Sequence, residues 1–168
     1  GCKTHLLADK HFHNSNHFKQ ILSQFKAHLN YKVKWPRKWF FNHVLAEILM
    51  DRIILLKAPN EAEEMYSALQ SIDQLRLIQF LNSIEANSAI FLPAFERFIA
   101  AAFIKHYASP KGVSTSLQNL YKRAGIAYAF TDDDNHIIHE ELNSLQAIVE
   151  ENLSPIVEEL AQISDIRI

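Results

Sequence analysis

With 168 residues, 48% of them hydrophobic and 21% charged, the chain is long enough and apolar enough to bury a substantial core, which excludes a disordered polypeptide. A formal net charge of −2 provides no broad basic field, so nucleic acid is not the expected partner. Cys2 has no second cysteine to pair with, and no apolar run reaches the roughly 18 residues that span a bilayer, so a reducing, cytoplasmic setting without a membrane span is expected.

Only three glycines are present, which leaves little material for hairpin turns and points to helices. The spacing predicts a first helix from Cys2 to Leu29, with Phe18, Ile21, Leu22, Phe25 and Leu29 as its apolar stripe. Because the chain opens at Gly1 inside this pattern, a further N-terminal stretch is expected before it. A basic, extended connector, Lys32 to Pro36, leads to a second helix from Pro36 to Lys57, with Pro36 in its first turn. Asn60 suits the cap of a third helix, whose continuation reaches Glu85 with a break near Ser71. A fourth spans Ser88 to Tyr107, with Pro93 kinking it or lying in its first turn, and a fifth spans Ser114 to Ala127. Asp132, Asp133 and Asp134 supply capping residues for a last helix that runs to Ile163 past Pro155. No repeat and no useful strand alternation interrupts the series, so the expected fold is a single-domain, all-α bundle of about six helices over residues 1–168.

Two polar stripes stand out. The second predicted helix is apolar almost all round, and His43, Glu47 and Asp51 recur along it four residues apart, on one face. A buried carboxylate without a partner is costly, so Glu47 and Asp51 should face cations, hydrogen-bond donors or a metal. His5, Asp9 and His13 repeat the same spacing on the first helix, near His11 and His17. Imidazole and carboxylate donors one turn apart can reach a common ion, and a mixed N/O donor set suits zinc, manganese or iron. The plainer reading is a set of local hydrogen bonds and ion pairs, with Lys10, Arg37 or Arg52 as counter-charges. A later group, His136, His139 and Glu140, follows the acidic cap and reads mainly as part of an exposed helix start, while His28 and His106 stand alone. Between Trp35 and Trp39 lie Arg37 and Lys38, a basic and aromatic segment suited to phosphate or an acidic partner, or simply to a solvated loop anchored by its tryptophans. No glycine-rich phosphate loop, nucleophile elbow or paired-cysteine motif occurs.

In these stripes the sequence resembles the acyl carrier protein phosphodiesterase family, a relative of the HD-type metal-dependent phosphohydrolases. That family carries Gly-x-x-x-His-x-x-x-Asp-x-x-x-Asp, and the run from Gly1 matches it at His5 and Asp9, with His13 in place of the last acid. His43 and Glu47 stand near the family's second pair of acids. The His-x-x-x-Asp and His-x-x-x-Glu pairs are also similar to those of zinc-dependent phospholipase C and related nucleases. The resemblance implies a metal-dependent phosphodiesterase in which His5, Asp9, His13, His43 and Glu47 hold one or two divalent ions (Mn, Zn or Fe). Asp51 and Asp9 are the candidate catalytic carboxylates, Asp51 as general base or as an orienting group. The implied substrate is the phosphopantetheine linkage of acyl carrier protein, whose acidic surface Lys32, Lys34, Arg37 and Lys38 would attract, or another small phosphodiester. A hemerythrin-like di-iron binder and a non-catalytic helical protein are the alternatives.

Overall fold

The computed structural model describes residues 2–162, and among them every regular element is helical. In chain order these are α1 (Cys2–Asn14), α2 (Asn16–Leu29), α3 (Lys38–Lys57), α4 (Glu61–Gln70), α5 (Gln74–Ser83), α6 (Ser88–Ala101), a short 3-10 helix (Phe103–Ala108), α7 (Pro110–Arg123) and α8 (Asp132–Ala161). The expected all-α class holds, with eight α-helices among the described residues in place of about six. The difference comes from caps. The first predicted helix is divided at Ser15, whose hydroxyl accepts from the backbone N–H groups of His17 and Phe18 and so starts a new helix. Likewise Asp73 accepts from Arg76 N–H and starts α5. The fourth predicted helix ends early because Ala102 adopts left-handed backbone angles, after which the chain tightens into the 3-10 turn. Pro93 lies inside α6 rather than in its first turn, and Pro36 lies in a turn just before α3. The expected end of the last helix at Ile163 falls outside the described residues.

α3 is the axis of the molecule. Its apolar residues cover nearly the whole circumference, so it can be buried on several sides at once. Phe41, Leu45, Leu49 and Ile53 are 1% exposed or less, packed against α2, α7, α8 and the 3-10 helix. Each such burial contributes about 1.5–3 kcal/mol relative to exposure. Arg52, also buried, donates to the carbonyls of Tyr107 (2.8 Å) and Ala108 and to Gln146 (2.9 Å), tying α3 to the 3-10 helix and α8. Among the described residues it takes no carboxylate partner, and burial pushes its guanidinium below the ordinary value. At the start of α8 Thr131 and Asp134 form a capping box. Burial works against the Asp134 charge, but donation from Thr131, Tyr128 and Trp35 outweighs it and holds the carboxyl low. α1 rests on α2 and α8, while α4, α5 and α6 form a limb whose only buried residues are Ala62, Tyr66 and Leu81.

Candidate metal centre

The cap at Ser15 turns the chain between α1 and α2 and places the last turn of α1 against the N-terminal half of α3. Phe18 in α2 packs edge-on against two imidazoles at once, His13 at 5.4 Å and His43 at 5.2 Å between ring centroids. The two imidazoles stack on each other at 4.7 Å, and Phe12 closes the side nearest His13. The apolar rings fix two nitrogen donors side by side.

Glu47 supplies the third donor. Its Oε1 lies 3.1 Å from His43 Nε2 and 3.7 Å from His13 Nε2. One ligand atom from each of His13, His43 and Glu47 lies within 4.8 Å of the other two. In a tetrahedral site with bonds of about 2.0–2.1 Å, neighbouring ligand atoms stand about 3.3 Å apart. The three donors therefore need to shift by only about 1 Å or less to enclose an ion, which fits a borderline metal with N/O ligands. All three are half-buried, so a fourth position stays open to solvent. Asp9 Oδ1 lies 3.2 Å from His13 Nε2 and completes the α1 side.

The remaining predicted residues take other positions. His5 is exposed and does not join the group. Asp51, one turn beyond Glu47, is solvent-accessible at its outer edge yet has its carboxyl raised to about 6, chiefly by desolvation and then by the charge of Glu47. His136 pairs with Glu140 at 3.1 Å on the exposed start of α8, His28 pairs with Glu141, and His17 approaches Glu159 at 3.6 Å. Arg52 serves carbonyls instead of Glu47, so among the described residues no arginine pairs with either stripe.

One local feature sets the tautomer of His13. His13 Nδ1 is buried without a hydrogen-bond partner among the described residues, whereas its Nε2 faces two carboxylate oxygens. The neutral ring is therefore best satisfied with its proton on Nε2. No protein-family model, curated protein or solved structure matches the chain. The resemblance to acyl carrier protein phosphodiesterases thus rests on motif residues, of which Asp9 reaches the cluster and His5 does not.

Proposed function

We propose that the chain holds a single divalent ion (Mn, Zn or Fe) between α1 and α3 and acts as a metal-dependent phosphodiesterase-like hydrolase. The observation that carries this reading is the convergence of His13, His43 and Glu47 donor atoms from two helices on a half-open position. Three protein ligands with an open fourth site is the pattern of hydrolytic rather than purely structural metal sites. A bound ion supplies Lewis acidity there, acidifying water and offsetting phosphoryl charge. Asp9 holds the His13 ring in place, and Asp51, whose carboxyl titrates near 6, takes up a proton from the attacking water. Phe12 and Phe18 keep solvent from the inner side. By resemblance, the substrate is the phosphopantetheine–serine linkage of acyl carrier protein, approached from the side of Lys34 and Arg37.

A second reading has its own support. Each histidine already has a carboxylate one turn away on its own helix, Asp9 for His13 and Glu47 for His43, which closes the cluster without any ion. A non-catalytic helical protein would need nothing more.

Metal titration separates the two. Placing an ion on His13 Nε2 sends the ring proton to Nδ1, which has no acceptor, at a cost of about 1–3 kcal/mol. Calorimetry with Zn²⁺ or Mn²⁺ is therefore expected to give one ion per chain at micromolar affinity, weakened at least about tenfold by His43→Ala. Chelator-sensitive hydrolysis of bis-p-nitrophenyl phosphate should accompany it, and Asp51→Asn should slow turnover with the ion still bound. A protein that takes up no divalent ion leaves the closed-cluster reading standing; an ion bound without turnover removes the hydrolase.

A further inference from the structure

A second candidate site lies on another face of α3 and does not depend on the metal reading. Among the buried polar side chains, Ser15, Arg52, Ser114, Asp134 and Asn152 all make hydrogen bonds. Asn42 is 8% exposed, and among the described residues its carboxamide has no partner. The fully buried side-chain atoms without a partner, among the described residues, are His13 Nδ1 and Gln24 Oε1, so the Asn42 amide keeps access to the cavity it lines, where it can pair with whatever enters. Asn42 lines a cavity of about 160 Å³ between α2 and α3, whose walls include Leu29, Val33 and Trp39 and whose rim carries Lys26 and Lys38. No carboxylate lines it. Lys38 Nζ donates to the Asn30 carbonyl at 3.1 Å, and neither lysine is paired with an acid among the described residues.

Each wall narrows the chemistry of the occupant. Two ammonium groups call for an anion, but a simple anion would leave the carboxamide unpaired and make no use of the indole. A purely apolar guest would fill the walls and strand both Asn42 and the lysines. A carboxamide offers a donor beside an acceptor, and the edge of a nucleobase offers the complement. Trp39, 72% exposed at the mouth, presents an indole on which a planar ring can stack. The cavity is smaller than the roughly 300–1,000 Å³ of drug-sized sites, which suits one ring system with its sugar and phosphate left at the lysine rim. We propose that the cavity between α2 and α3 binds a nucleoside monophosphate, with Asn42 reading the base edge, Trp39 stacking on the base, and Lys26 and Lys38 holding the phosphate.

Asn42 and His43 are consecutive, so their side chains point about 100° apart around α3, and the test can be run with chelator present. The protein is titrated with AMP, GMP, CMP and UMP, followed by Trp39 fluorescence and by calorimetry. Trp35 is buried in the core, so quenching reports on Trp39. At least one monophosphate should quench saturably, with its free nucleoside and inorganic phosphate each weaker by about tenfold or more. Lys38→Gln should cost a similar factor. Asn42→Leu replaces an amide that makes no hydrogen bond among the described residues by an apolar group of like volume, so it should melt near the wild-type temperature while losing nucleotide affinity by about tenfold or more. Equal response to phosphate alone, no saturation up to millimolar nucleotide, or unchanged affinity in Asn42→Leu would each overturn the proposal.

Discussion

Asp51 and Glu47 lie on one stripe but in different electrostatic circumstances. Glu47 is flanked by two imidazoles, whereas Asp51 faces partial desolvation and the Glu47 charge, with no ion pair to a cation among the described residues. Tyr107 feels the same crowding: burial, then Asp51, raises its phenol to about 12. The consequence for stability follows from the sign of the Asp51 shift. Its folded pKa, about 6, exceeds the 3.8 of an ordinary aspartate carboxyl. Below the lower value both states carry the proton and there is no penalty. Between the two values the unfolded chain ionises first, so the folded state loses stability as pH rises, and the loss is complete above about 6. Two units would correspond to roughly 3 kcal/mol, but the exposed edge of the carboxyl screens this to about 1 kcal/mol. Asp51→Asn in metal-free buffer should therefore stabilise the protein by about 1 kcal/mol at pH 7 and hardly at all at pH 3.5, read from urea midpoints. Equal effects at the two pH values would place the carboxyl in an ordinary environment.

At the scale of elements, the turn between α1 and α2 decides whether there is a site at all. Ser15 accepts from two backbone donors, at 3.1 Å from His17 N and 3.4 Å from Phe18 N, and Phe18 is the ring against which both imidazoles rest. Ser15→Ala should cost about 1 kcal/mol, a fall of some 2–4 °C in Tm, and should weaken metal uptake because the first turn of α2 frays beneath the imidazoles. Ser15→Asp, which keeps an acceptor at the positive end of the helix, should restore both. A melting loss without any change in metal affinity would show that the cap supports the fold but not the cluster. This cap was legible: Asn14-Ser15-Asn16 is a run of turn and cap formers, but the apolar stripe continuing through Phe18 masked it. The two stripes were equally legible, and geometry explains why only part of each converges. Eight residues of helix rise about 12 Å, so two crossing stripes meet at one point: His5 is left away from it, and Asp51, one turn past Glu47, stands beside the ligands rather than among them. Sequence spacing gives the face of a helix. The crossing point depends on how helices pack, and so does the open cavity beside Asn42, which no local pattern announces.

For the molecule as a whole, burial is unevenly distributed. α3 and α8 form a continuous core with α2 and α7, from Phe41 and Leu49 to Ile138 and Val149, all 2% exposed or less. The α4–α6 limb is different. No residue of α6 is buried, and Leu75, Phe80, Ile84 and Ile90 are each more than half exposed. Its attachments are the Tyr66 hydroxyl accepting from Ile104 N–H at 3.3 Å, the Glu63–Lys105 pair, and Phe98 against Phe103 at 5.3 Å. An exposed ion pair contributes at most about 1 kcal/mol and one neutral hydrogen bond about the same. Opening α5 and α6 therefore forfeits little of the burial that stabilises the core, and local unfolding should precede global unfolding. Native-state hydrogen exchange should find amides of α5 and α6 protected at least about 100-fold less than those of α3, a gap of roughly 3 kcal/mol. Exchange there should depend weakly on urea, since little new surface is exposed on opening, whereas α3 should follow the slope of global unfolding. Tyr66→Phe removes the acceptor of Ile104 N–H and should widen the gap further. Equal protection and equal urea slopes across α3, α5 and α6 would mean that the limb and the core unfold as one cooperative unit.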